Sequence, residues 1–235
     1  MIYVAADIHG DFVKYQKLLE KIKLGAKDAL VILGDVLDRG SSGMKILLDI
    51  MDKENIFMIL GNHEQIALAC LKTLSQVITK ESIEKFDEAT TEMLVEWVYN
   101  LGGQATIEDF SKLSKLEKKI VLDYIEELPL YEEFVINNQK YLLVHGGLEN
   151  FSPDKDIDDY TIDEIVWNRI DYKKKYFEDT IIITGHTPTR TIEDNPNPDF
   201  IYKANNHIAI DCGCVFAGGR LGCLCLNTME EIYVD

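Results

Sequence analysis

Met1-Ile2-Tyr3-Val4-Ala5-Ala6-Asp7-Ile8-His9-Gly10 opens the chain, and its order of residue types decides the fold. The apolar run Ile2–Ala6 reads as a buried strand. A carboxylate and an imidazole two residues apart follow it at once, and Gly10 permits a tight exit into the next element. The same order returns twice. Ala29–Leu33 is a strand followed by Gly34-Asp35-Val36-Leu37-Asp38-Arg39-Gly40, and Ile56–Leu60 is a strand followed by Gly61-Asn62-His63-Glu64. Helical spacing fills the gaps: Phe12, Tyr15, Leu18, Leu19 and Ile22 share a face of Phe12–Ile22, and Met44–Met51 follows Ser41-Ser42, which can cap it. Strand–helix–strand–helix–strand with short links implies an α/β fold with a parallel sheet and right-handed crossovers. Residues at the carboxyl ends of such strands meet in one crevice.

From Gln65 to about Ile125 the pattern is nearly all helical, broken at Gly102-Gly103, and predicts a helical insertion that leans on the sheet and caps the crevice. Strands return after Pro129. Glu133–Ile136 and Lys140–Val144 flank the hairpin turn Asn137-Asn138-Gln139, and Thr180–Thr184 is a buried strand. Ile208–Asp211, Leu221–Leu226 and Ile232–Val234 predict a closing antiparallel set, with Asn195-Pro196-Asn197-Pro198 a surface loop. Two of these strands end on a histidine beside glycine: His145-Gly146-Gly147-Leu148 and Gly185-His186-Thr187-Pro188.

A chain of 235 residues buries roughly 70–75% of its unfolded surface, enough for a sizeable core, and one domain over residues 1–235 is expected. Lys+Arg 24 against Asp+Glu 41 leaves a net charge of −17, which argues against nucleic acid and anionic membranes as partners. A small phosphorylated substrate is compatible with it, because bound cations reverse the local potential. No signal peptide is visible, and the five cysteines are an odd count. A reducing cytoplasmic location is expected.

Asp7, His9, Asp35, Asn62, His145 and His186 are oxygen and nitrogen donors at strand ends. Each has a bland reading: an incidental Asp-X-His, an Asp–Arg turn, helix capping by Asn62, a packed histidine. Repetition after successive strands makes a shared metal site the better account. Asp35 can bridge two cations with its two oxygens, and Asn62 offers a neutral carbonyl. His63 suits proton transfer near neutrality. Of only four arginines, Arg39 and Arg169 (in Trp167-Asn168-Arg169) lie in motifs and match a phosphate bidentately. Arg190 and Arg220 read as surface salt bridges, and His207 as structural. Cys212-Gly213-Cys214 and Cys223-Leu224-Cys225 do not have zinc-knuckle spacing and read as core residues, each pair on one face of a strand. Asp211, just before them, reads as a carboxylate behind a ligand histidine.

Taken in order, Asp7-Ile8-His9-Gly10, Gly34-Asp35…Asp38-Arg39-Gly40, Gly61-Asn62-His63-Glu64, His145-Gly146-Gly147-Leu148 and Gly185-His186 resemble the calcineurin-like metallophosphoesterases, and within them the bacterial and phage-type phosphoprotein phosphatases. The likeness spans residues 7 to about 213. It implies a β-sandwich of mixed sheets flanked by helices around two divalent metals, manganese first, with iron or zinc also suited to these donors. Asp7, His9 and Asp35 would take one metal; Asp35, Asn62, His145 and His186 the other. His63 would be the general acid with Asp38 beside it, and Arg39 and Arg169 would hold the phosphoryl oxygens. Hydrolysis would proceed by direct attack of a metal-bridging hydroxide. The chain departs from the family at Leu60, where many members carry arginine. At Pro188 other branches carry a second histidine, which argues against a nuclease. The resemblance implies a serine/threonine protein phosphatase acting on phosphoproteins or phosphopeptides. A dinucleoside tetraphosphatase is the alternative, set second because its symmetric branch has Gly-Asn-His-Asp where this chain has Glu64. A non-catalytic metal-dependent binding protein is a third reading.

Overall fold

The computed structural model describes residues 1–75 and 87–235. In chain order β1 (Ile2–Ala5), α1 (Phe12–Ile22), β2 (Ala29–Ile32), α2 (Gly43–Met51) and β3 (Ile56–Met58) form the strand–helix repeats read from the sequence. Helices α3 (Asn62–Leu74), α4 (Glu88–Val95), α5 (Gly103–Ser111) and α6 (Lys115–Glu126) follow, with a π-helical turn at Glu96–Asn100. The remainder is β4 (Tyr131–Ile136), β5 (Gln139–Val144), α7 (Ile162–Val166), β6 (Thr180–Thr184), β7 (Tyr202–Ala204), β8 (His207–Ala209), β9 (Leu221–Cys225) and β10 (Glu231–Val234). Residues 76–86 of the expected helical segment lie outside the described residues.

Two mixed five-stranded sheets result, ordered β10-β9-β1-β2-β3 and β4-β5-β6-β8-β7. The strands β1, β2 and β3 run parallel, as do β5, β6 and β8. Side-chain alternation builds the sandwich. Val4, Ala6, Val31 and Leu33 pack with Tyr141, Leu143, Ile183 and Ile208 between the sheets. Tyr3, Ala5, Leu30 and Ile32 turn the other way, into the core formed with Tyr15, Leu18 and Leu47 of the helices. Both faces are covered, which is why these strands read as unbroken apolar runs.

The hairpin turn is tighter than expected. Gln139 already belongs to β5, and Asn137 and Asn138 take φ of +52° and +63°, the two left-handed residues of a type I′ turn. The closing antiparallel set is not one set. β8 joins the second sheet, parallel to β6, while β9 and β10 join the first, against β1. All three runs are equally apolar, so composition does not assign them to a sheet. Ser42 precedes α2 but makes no side-chain capping bond. Asp109 of α5 does that work from a distance, accepting from Met44 N–H at 3.1 Å. Among the described residues no helix is long and apolar enough to cross a membrane.

Candidate metal centre and active site

Each of the six parallel strands ends on a polar residue of one cluster. Asp7 and His9 follow β1, Asp35 follows β2, Asn62 and His63 follow β3, His145 follows β5, His186 follows β6 and Asp211 follows β8. All but His186 are buried. Backbone conformation aims them. Asp7, His9, Asp35, Asp38, Arg39 and His186 all have φ between +47° and +66°, a region L-residues avoid. Such strain gathers at functional sites and persists only where the surroundings over-determine it. Gly34, at φ +79°, lies so close to the next motif that a Cβ would sit 2.5 Å from Gly61 Cα. The two glycines let the β2 and β3 loops touch.

Hydrogen bonds set the imidazole tautomers. His9 Nδ1 donates to Leu37 O at 2.9 Å and His145 Nδ1 to Leu33 O at 2.6 Å. The Nε2 lone pairs therefore face the cluster, 3.7 Å and 3.4 Å from the Asp35 oxygens. Asn62 Oδ1 lies 2.9 Å from both His145 Nε2 and His186 Nδ1. Acceptor atoms converging in this way are the arrangement a cation satisfies. The donor atoms of His9, Asp35 and His63 lie within 4.8 Å of one another, and so do those of Asp35, His145 and His186. These are two candidate metal triads sharing Asp35, consistent with a dinuclear site. The first triad contains His63 where the sequence reading has Asp7. Both Asp7 oxygens accept from His186 N–H, at 3.1 and 3.0 Å.

Charge supports a cationic occupant. Burial lowers the pKa of His9, His145 and His186, the last to about 3, so the imidazoles are neutral, the form that binds metal. Burial also works against the Asp35 carboxylate, but the surrounding histidines hold it below the ordinary range. Burial, with Asp211 and Asp35 beside it, pushes Asp7 well up, and burial lifts Asp211 to about 6. Crowded buried carboxylates of this kind are what divalent cations neutralise.

Asn62 is not a cap. Gly61 is the N-cap of α3, Asn62 its first residue, and the amide oxygen is free for the histidines. Asp211 backs no histidine: it accepts from Gly213 N–H at 2.9 Å and lines the cavity beside Asp7. Glu64 turns away from the cavity. Its two oxygens accept the N–H groups of Asp35, Val36 and Leu37 at 2.7, 2.9 and 3.0 Å. His63 Nδ1 donates to Asp38 Oδ2 at 2.6 Å, and Arg39 Nη2 lies 3.2 Å from His63 Nε2. Burial works to lower the His63 pKa, but Asp35 and Asp38 outweigh it and raise it. Arg169 lines the cavity and donates to His186 O at 3.3 Å.

The peripheral residues are less eventful. Arg190 pairs with Asp199 and Arg220 with Asp235. His207 is buried and bonded to Lys174 O at 2.9 Å. All five cysteines are buried and free, but Cys212 and Cys214 lie in the loop after β8, not in a strand, and enter different core clusters. Two residues at the site escaped the sequence reading, Trp97 and Thr106, both bonded to Asp38. Rarity was the available signal. The chain has two tryptophans: Trp97 is buried against Asp38, and Trp167 lines the cavity of about 810 Å³.

The calcineurin-like phosphoesterase family model matches residues 1–217. The chain belongs to the calcineurin-like phosphoesterases. As a member it is a metal-dependent phosphoesterase. Among similar proteins is the asymmetrical bis(5′-nucleosyl)-tetraphosphatase PrpE of Halalkalibacterium halodurans, 26% identical, with 98% of this chain and 92% of that protein covered. The symmetrical bis(5′-nucleosyl)-tetraphosphatase of Haemophilus ducreyi is 29% identical over 66% of this chain, which spans only 47% of that protein. Of solved structures, a putative diadenosine tetraphosphatase shares the fold at TM-score 0.68 and 18% identity, covering 99% of this chain and 92% of that one. A Saccharomyces cerevisiae protein serine/threonine phosphatase shares it at TM-score 0.58 and 18% identity, covering 99% and 78%. The two tetraphosphatase relatives from Halalkalibacterium halodurans and Haemophilus ducreyi overturn the phosphoprotein partner expected from the sequence. The physical reason lies in Glu64. It was the residue that favoured phosphoproteins, and it bonds the Asp35 loop rather than facing a substrate.

Proposed function

We propose that this calcineurin-like phosphoesterase hydrolyses dinucleoside tetraphosphates asymmetrically, releasing a nucleoside triphosphate and a nucleoside monophosphate. The end-to-end likeness to the asymmetrical tetraphosphatase carries the proposal, since it covers 98% of this chain and 92% of that enzyme. A cavity of about 810 Å³ supports it, running from Asp7 and Asp35 past Arg39 and Arg169 to Trp167 and Phe216. That is the size of a small-molecule pocket, and its aromatic walls suit a nucleobase. In this reading Asp7, His9 and Asp35 hold one divalent cation and Asp35, Asn62, His145 and His186 the other. The donors are oxygen and nitrogen without thiolate, which suits manganese, iron or zinc. The cations would supply Lewis-acid charge and activate water as the nucleophile. Arg39 and Arg169 pair with phosphoryl oxygens, and His63 gives its proton to the leaving oxygen while Asp38 holds Nδ1.

Diadenosine tetraphosphate incubated with the manganese-loaded protein is expected to yield ATP and AMP in equal amounts. Two ADP per substrate would make the cleavage symmetrical, and no turnover by fully loaded protein would sink the proposal. His63→Asn gives a second reading of the site. On a phosphate ester with an alcohol leaving group it is expected to cost on the order of 10²–10⁴-fold in kcat, the range of general acid catalysis. On the tetraphosphate the loss should be at least about tenfold smaller, because a phosphate leaving group of pKa about 6 needs little protonation. Equal losses would argue against the acid role.

A further inference from the structure

We infer that Trp97 and Thr106 are positioning residues that hold Asp38 against His63, so that the segment 97–106 sets the acid of the site. The inference rests on the proposed acid role of His63. Every Asp38 oxygen is engaged. Oδ2 accepts from His63 Nδ1 at 2.6 Å and from Trp97 Nε1 at 2.9 Å. Oδ1 accepts from Thr106 Oγ1 at 2.5 Å, and the same hydroxyl accepts from Asp38 N–H at 2.9 Å. One bond further on, Arg39 N–H donates to Gly102 O at 3.1 Å. Asp38, Trp97, Thr106 and His63 are all buried, so these bonds are not in competition with bulk water.

A carboxylate bonded to an imidazole alone can turn about its last torsion. Donors on both oxygens fix its plane. The backbone needs the same support, because Asp38 and Arg39 are consecutive residues at φ +66° and +65°. The segment 97–106 meets both, through two side chains and a carbonyl. Its local structure is shaped for the task. Trp97 sits in the π-helical turn Glu96–Asn100, and such turns inside helices are frequent at functional sites. Gly103 lies under the indole so closely that a Cβ would be 2.4 Å from the ring. A buried indole that needed only an acceptor would not account for the hydroxyl on the other oxygen.

Trp97→Phe keeps the ring and removes the N–H; Thr106→Val keeps the shape and removes the hydroxyl. With manganese, each is expected to lower kcat on phenyl phosphate about tenfold, one hydrogen bond's worth. On p-nitrophenyl phosphate, whose leaving group needs little protonation, the loss should stay under about threefold, with KM steady on both. In the protein without added substrate, the low-field proton resonance of His63 Nδ1–H, assigned by its loss in His63→Asn, should move in both variants. Equal losses on the two esters, or an unmoved resonance, would overturn the inference. Should the wild type hydrolyse neither ester, the resonance decides alone. Neither readout uses a dinucleotide, so failure of the tetraphosphatase proposal would leave a positive result standing.

Discussion

Asp35→Asn is expected to leave the chain unable to hold two metal ions and to cut turnover on the order of a thousandfold, about 4 kcal/mol of transition-state stabilisation. Asp35 is the residue common to both candidate triads, with His9 and His63 on the side of one oxygen and His145 on the other. The substitution preserves volume. Asn Oδ1 can still accept the His63 backbone N–H, as Asp35 Oδ1 does at 3.1 Å. What it removes is the one negative charge shared by the histidines, and it points an N–H₂ at lone pairs. The fold should survive and the metal should not. Metal analysis beside a circular dichroism spectrum checks this: a native spectrum with fewer than two ions per chain is expected, and full occupancy would refute sharing.

Glu64→Ala is expected to destabilise the protein by at least about 3 kcal/mol, because three buried backbone N–H groups lose their acceptor at once. For a chain of this size that corresponds to a fall in Tm of roughly 6–12 °C. The carboxylate reaches Asp35, Val36 and Leu37 from the first turn of α3. It ties the β2 loop to the β3 loop where Gly34 and Gly61 touch. Burial, with Asp35 beside it, lifts its pKa to about 7, and the bonds from the N–H groups work against that rise. Glu64→Asp, one methylene shorter, should lose part of the stability and leave the reaction products unchanged. A shift from ATP and AMP to two ADP in that variant would return Glu64 to the role of specificity determinant.

The strand-end cluster was legible because its logic is local. An apolar run followed at once by Asp, His or Asn is a property of ten consecutive residues, and repetition made the motifs informative together. Glu64 shows where local reading misleads. It stands next to His63 in sequence, yet a helix turns successive side chains in different directions, and its partners are the backbone of another loop. Asp211 was read as a support for a histidine, whereas backbone carbonyls of Leu33 and Leu37 do that work, and a carbonyl leaves no mark in a sequence.

Trp97 and Thr106 lie 59 and 68 residues from Asp38, and neither belongs to a motif. Only the packing of α5 and the π-helical turn onto the β2 loop joins them. The allocation of β8 to one sheet and β9 and β10 to the other was likewise beyond sequence reading, since equally apolar strands fit either sheet. The strand-end order of Asp7, His9, Asp35, Asn62, His145 and His186 was enough to specify an α/β fold with these side chains gathered in one cluster, because strand, turn and polar residue are consecutive and covalent connection enforces their order. Tertiary structure alone decided the left-handed backbone of Asp7, His9, Asp35 and His186, the tie from Glu64 to the Asp35 loop and the grip on Asp38. The last two are hydrogen bonds between segments that only folding brings together, and strained backbone persists only where such surroundings over-determine it.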